Sequence, residues 1–114
     1  MTAKELSNLS GLLKEEPALK RAVTEFKQLH PAGQIVSSME EQLHTTQKEI
    51  RRLSAWIDAI PDADMRAVAI CRCFLGMEWT RVARECGYGS ADSARVAFHR
   101  FIKKENERRG KNGH

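Results

Sequence analysis

Proline, aromatic residues and long apolar runs are scarce in this chain, and each shortage removes a class of structure. Its 114 residues include 3 Pro, 2 Trp, 1 Tyr and 4 Phe, and hydrophobic content is 41%. Few residues are β-branched, so a sheet protein is not indicated and an all-α chain is expected. The longest uncharged apolar run covers only a few residues. That is far below the ~20 a membrane-spanning helix needs, so no membrane association is expected. The opening MTAKELSNLSGLLKEEP contains acids and no apolar h-region, unlike a secretion signal. The cysteines are an odd set, Cys71, Cys73 and Cys86, without regular spacing. Reduced thiols in a cytoplasmic protein follow. Cys71 and Cys73 are two apart and point to different sides of a helix, and no second pair exists, so a metal site is not expected. There is no Gly-rich phosphate loop, no paired carboxylates and no nucleophile with a base. Glu85 beside Cys86 would raise the thiol's pKa rather than activate it. Neither an enzyme nor a cofactor is indicated.

The charge that is present is unevenly placed. Residues 1–61 carry 8 Lys/Arg and 8 Asp/Glu, whereas residues 62–114 carry 11 and 7, so the whole net charge of +4 lies in the second half. A basic half beside a neutral one suits a polyanion partner, because Lys and Arg release counterions from phosphates. A basic solvated surface is the alternative.

Hydrophobic spacing divides the chain into four stretches. Residues 1–33 form an amino-terminal helical segment without an assigned role. Leu6, Leu9, Leu12 and Leu13 recur at helical spacing, and Pro17 is expected to open a second helix carrying Ala22, Val23, Phe26 and Leu29. His30-Pro31-Ala32-Gly33 breaks it. Residues 34–60 show Val36, Met39, Leu43, Thr46, Ile50, Leu53, Ile57 and Ile60 three and four apart without a slip. A repeat of this length predicts a coiled-coil oligomerisation helix, with Val36, Met39, Leu43, Ile50, Leu53 and Ile57 joining two copies in a homodimer. The alternative is one amphipathic helix packed on its own chain, for instance on residues 18–29. Residues 61–109 form a small helical domain, and residues 110–114 a disordered tail. Pro61 ends the long helix, Asp62 caps the next, Gly76 stops that one, and Ser90 caps a last helix.

Within the small domain, residues 78–103 read as helix, tight glycine turn and helix. The last helix has Ala94, Ala97, Phe98, Phe101 and Ile102 on one face. Asp92, Ser93, Arg95, Val96, His99, Arg100 and Lys103 lie on the other. A helix entering a major groove needs such an outward face: Arg for guanine edges, smaller donors beside it, and cations for phosphates. Double-stranded DNA is therefore the expected partner. Ser93, Arg95, Val96 and His99 are expected nearest the bases after the Ser90 cap, with Arg100, Lys103, Arg81 and Arg84 nearer phosphates. Tyr88 either touches a phosphate or closes the corner. Trp79 is expected to anchor the core and Trp56 to flank the long helix. His30, His44 and His114 have no role.

The segment Cys73-Phe-Leu-Gly76-x-x-Trp79-x-x-Val82-Ala83-x-x-x-Gly87-Tyr88-x-Ser90 resembles the last-domain helix-turn-helix of sigma-70-type factors. It more nearly resembles the small phage and prophage regulators that carry this domain behind a coiled-coil segment. Ile60-Pro-Asp62 with Arg66 and Val68, then Gly76 through Ala83, then Gly87-Tyr88, follow in the order found there. The resemblance spans roughly residues 34–104 and implies a transcription regulator, nucleoid-associated, whose last helix reads the major groove. One departure is the turn Gly87-Tyr-Gly-Ser-Ala-Asp-Ser, a residue or two longer than in many relatives, so base-contacting positions do not transfer directly. Two other readings stand beside it: a DNA-packaging subunit of the small-terminase kind, and a module contacting RNA polymerase.

Overall fold

A computed structural model of the chain describes residues 1–30 and 33–112. Among them are six α-helices and no strand, as the helical spacing predicts. They are α1 (Ala3–Ser7), α2 (Leu9–Leu29), α3 (Gln34–Asp58), α4 (Ala63–Ala69), α5 (Trp79–Cys86) and α6 (Ala91–Asn112). No described helix is long and apolar enough to cross a membrane.

Local chemistry accounts for most of the boundaries. Thr2 caps α1 by accepting from the Glu5 amide at 3.0 Å. Asp62 caps α4, its Oδ1 accepting from the amides of Asp64 (2.8 Å) and Met65 (3.2 Å). Both relieve amide groups that a helix start leaves unpaired. α4 continues into a π-helical turn, Ile70–Phe74, which helical spacing does not reveal. The wider turn lets the Leu75 amide donate to the Ile70 carbonyl, and Gly76 then leaves the helix at φ 66°.

Pro17 does not open a helix. α2 runs unbroken through it from Leu9 to Leu29. An interior proline forfeits one backbone hydrogen bond and crowds the preceding turn, at a cost of about 3 kcal/mol or more. Packing along α3 offsets that cost. Glu16, next to Pro17, accepts from Gln47 Nε2 at 3.1 Å, while Lys27 meets Glu40 at 3.4 Å and Arg52 meets Glu5 at 2.8 Å. The pairs run in opposite senses along the two helices, so α2 and α3 form an antiparallel hairpin. The expected chain break falls at its tip: α2 ends at Leu29, and Pro31 and Ala32 lie outside the described residues.

This hairpin corrects the reading of the α3 seam. Val36, Leu53 and Ile57 are buried and Met39, Leu43 and Ile50 half-buried within one chain. A helix of 21 residues, rather than a fragment starting after Pro17, supplies the cover. The seam is therefore covered in part within one chain, as in the alternative of a helix packed on its own chain.

The residues before α3 also enter the core of the carboxy-terminal helices. Leu6 and Leu9 are completely buried in one cluster with Leu53, Ile57, Ile60, Val68, Cys73, Val82, Phe98 and Ile102. Residues 1–33 are thus partly a lid on the small domain and partly one arm of the hairpin. The arm elongates the molecule. Its radius of gyration is 17.5 Å and its longest extent 54 Å, against about 13 Å expected for a compact chain of this length. α6 is longer than anticipated, reaching Asn112, so Gly110 is helical rather than part of a tail. Residues 113–114 of the expected tail lie outside the described residues.

Leu6→Ala tests whether the amino-terminal segment belongs to this core. Truncating a fully buried leucine leaves a cavity and should lower unfolding stability by about 2–5 kcal/mol in urea denaturation. An unchanged midpoint would show that α1 contributes nothing to the core.

Candidate nucleic-acid interface

α5 and α6 are joined by four residues, and two backbone features set the angle between them. Gly87 adopts the left-handed conformation (φ 81°) that ends α5, where the Tyr88 amide donates back to the Ala83 carbonyl at 2.8 Å. A residue with a Cβ would be strained there. Ala83 is itself buried, which lets the helices approach closely.

Ser90 and Ser93 then cap α6 reciprocally. Ser90 Oγ accepts from the Ser93 amide at 3.1 Å, Ser93 Oγ accepts from the Ser90 amide at 3.2 Å, and Ser93 Oγ donates to the Ser90 carbonyl at 2.9 Å. This is a capping box with serine where glutamate or glutamine usually stands. The Ser93 hydroxyl, expected near the bases, thus serves the helix start as both donor and acceptor. Ser90 is likewise a cap first.

Beyond the cap, α6 divides lengthwise. Ala94, Phe98 and Ile102 are buried and Ala97 and Phe101 half-buried, the apolar face the sequence shows. Arg95, Val96, His99, Arg100 and Lys103 are exposed, as are Arg81 and Arg84 on α5. Among the described residues, Arg81, Arg84, Arg100 and Lys103 make no ion pair, whereas Arg95 meets Asp92 at 3.2 Å. The outer face of α6 is thus mostly uncompensated positive charge.

Tyr88 does not join that face. It is half-buried against the core, and burial, with Cys86, Asp64 and Asp62 nearby, raises its pKa. Its packing against the core suits the corner-closing role. Trp79 packs as expected, 5.7 Å from the Phe98 ring.

Sequence spacing missed three groups that fix or border this surface. Arg72 lies 5.0 Å above the Trp79 ring and donates to the Met77 carbonyl at 2.8 Å, a position that follows from the π-helical turn. Arg109 stacks 4.1 Å over Trp56 and donates to the Trp56 carbonyl at 2.9 Å. It also meets Glu105, which is only 3% exposed and is held by Arg108 as well. Asn106 donates to the Met1 carbonyl at 2.6 Å. The carboxy-terminal half of α6 is thereby tied to Met1 and α3, while its amino-terminal half buries Ala94 and Phe98 and keeps its outer face exposed. Arg109 and Glu105 could have been noticed as an i, i+4 charge pair, but nothing in their spacing identifies Trp56 as their partner.

Cys71 and Cys73 differ in burial, as their spacing two apart predicts. Cys73 is buried, which pushes its pKa up to about 12. Cys71, in the π-helical turn, lies beside Cys86 at the end of α5. Burial, then the Cys71 thiol beside it, push Cys86 up to about 11. Among the described residues no group of three or more His, Cys, Asp or Glu is arranged to hold a metal. Comparison with protein-family models, with curated proteins and with solved structures returns no match for this chain.

Two expectations follow. Ser90→Ala removes one half of the cap and should cost about 0.5–2 kcal/mol, read as a lowered thermal midpoint with helical content kept in the native state. An unchanged midpoint would mean the cap does not hold α6. Cys86 should also be slow toward thiol reagents. A free thiol is about a quarter ionised at pH 8, whereas a group titrating near 11 holds on the order of a thousandth as thiolate. Alkylation followed by peptide mass spectrometry should show Cys86 reacting at least about tenfold slower in the folded chain than in urea. Equal rates would contradict the raised pKa.

Proposed function

We propose that this protein is a sequence-specific DNA-binding regulator of transcription, of the phage or prophage type. In this reading α5, the link from Gly87 to Ser90 and α6 act as a helix-turn-helix. The observation that carries it is the uncompensated cationic outer face of α6, opposite the buried row Ala94, Phe98 and Ile102. The resemblance of roughly residues 34–104 to regulators carrying the last domain of sigma-70-type factors supports the same reading.

A B-DNA major groove is about 12 Å wide and admits one helix. The exposed outer face of α6 supplies the parts such a helix needs. Arg95 can reach a guanine edge, exchanging Asp92 for the O6 and N7 acceptors. Asp92 is then freed to accept from a cytosine amine. Val96 offers an apolar surface for a thymine methyl, and His99 is a small donor beside them. Arg100 and Lys103, with Arg81 and Arg84 of α5, serve phosphates, which set affinity more than sequence. The docked half of α6 gives the reading half a fixed orientation, so little ordering is required on binding.

The filled α3 seam bears on stoichiometry. A pair of reading heads on a two-fold site would have to join through another surface, and a packaging ring would as well. One chain bound to one groove segment is the simplest arrangement consistent with the hairpin.

Selection of bound sequences from a random DNA pool, followed by titration of the selected duplex at two salt concentrations, tests this function. Arg95→Ala should cost about 1–3 kcal/mol and relax preference at one base position. Lys103→Ala should weaken all sequences alike and lower the salt slope by about one. If Arg95→Ala and Arg100→Ala bind like the parent chain at both salts, α6 is not the reader. Capture of RNA polymerase without DNA would then favour the polymerase-contacting module, and a ring of eight or more copies the packaging subunit.

A further inference from the structure

A cleft of about 250 Å³ lies between α1 and the α5–α6 pair, lined by Ala3, Lys4, Ser7, Arg72, Trp79, Phe98 and His99. Its composition is unusual for this surface. Three of the seven side chains are cationic or basic and none is acidic. The acid nearest in sequence, Glu5, is paired with Arg52 at 2.8 Å, a hydrogen bond that also lowers its pKa. Arg72 is half-buried, yet among the described residues it meets no carboxylate; its one hydrogen-bond acceptor is the Met77 carbonyl. A guanidinium partly withdrawn from water, with donors to spare and no counter-charge, is suited to an anion. The Trp79 and Phe98 rings give the same cleft an apolar wall.

The cleft's place on α6 identifies the anion. Successive helical residues turn by about 100°. His99 therefore sits between the outward row Val96, Arg100 and Lys103 and the buried Phe98. The cleft opens along one flank of the outward face, and Arg100 and Lys103 lie toward its centre and far side. When a helix occupies a major groove, sugar-phosphate strands run along both of its flanks. A deoxyribose phosphate combines an apolar ring and an anionic group, which matches an aromatic wall beside Lys4 and Arg72.

We propose that the α1–α6 cleft seats a backbone phosphate of the DNA strand flanking α6, with Lys4 and Arg72 as its cationic contacts. This rests on α6 being the groove-entering helix. It makes α1 part of the interface as well as of the core, and it assigns the contact to residues outside the helix pair, one of them, Lys4, far from it in sequence.

The test is the salt dependence of binding to one selected duplex for four single variants of the full chain. Lys4→Ala alters an exposed side chain and leaves the core intact. Arg72→Gln keeps a donor for the Met77 carbonyl while removing the charge. Arg100→Ala and Lys103→Ala report on α6 itself. Each of the first two should lower the salt slope by about one without changing the preferred sequence. If Arg100→Ala and Lys103→Ala lower the slope while Lys4→Ala and Arg72→Gln do not, the cleft is not a phosphate seat and the reading of α6 stands. If none of the four lowers it, the reading of α6 fails and the cleft assignment with it. Calorimetric titration with inorganic phosphate at matched ionic strength should give no saturable heat. Saturable binding lost in Lys4→Ala would assign the cleft to a free anion and overturn the proposal.

Discussion

Packing of α6 on α4 and α5, over a core shared with both ends of the first half of the chain, is the contact on which the other features depend. Phe98 and Ile102 enter a core whose opposite wall is built from Leu6 and Leu9 at the start of the chain and from Leu53, Ile57 and Ile60 at the end of α3. Each such side chain contributes on the order of 1.5–3 kcal/mol when withdrawn from water. None of the short helices α1, α4 or α5 would be stable alone, because helices under about 12 residues are marginal in water. They persist because one shared core buries a face of each. Where α6 points, and what its outer face can meet, follows from that core.

Polar contacts refine the orientation the core imposes. Glu105 is almost fully buried, a costly position for a carboxylate unless cations and hydrogen bonds surround it. Arg108 and Arg109 provide these, and Arg109 extends the arrangement to the Trp56 ring and carbonyl. Such a group stabilises little relative to an apolar substitute, but its geometry is directional and resists sliding of α6 along α3. The π-helical turn acts similarly at the other end. By widening one turn it buries Cys73 and swings Arg72 over Trp79, bracing the entry to α5.

The hairpin of α2 and α3 is a consequence of the same economy of surface. A seam of eight regularly spaced positions demands a partner helix, and the adjacent α2 is available at minimal loop-closure cost. Proline at position 17 weakens α2 locally, but a helix with one stripe already packed tolerates a missing hydrogen bond better than a free one. The exposed Leu29 and Ile35 mark the tip, where the two helices diverge and cover each other least.

Much of this was legible from residue spacing, and the reasons separate cleanly. The all-helical class, the α3 stripe, the caps at Asp62 and Ser90, the glycine stops at Gly76 and Gly87 and the division of α6 into apolar and basic faces are local properties. Each depends on residues within a turn or two of one another, so the sequence alone determined them. The fate of the α3 stripe, the burial of Leu6 and Leu9, the meeting of Cys71 with Cys86, the stacking of Arg109 on Trp56 and the cleft joining Lys4 to Arg72 and His99 are not local. Periodicity announces that a face must be covered, and it is silent on what covers it. Two helices, a second copy or a distant segment satisfy the same stripe equally well, and only the summed packing of the whole chain chooses among them. Tertiary structure decided those contacts for that reason.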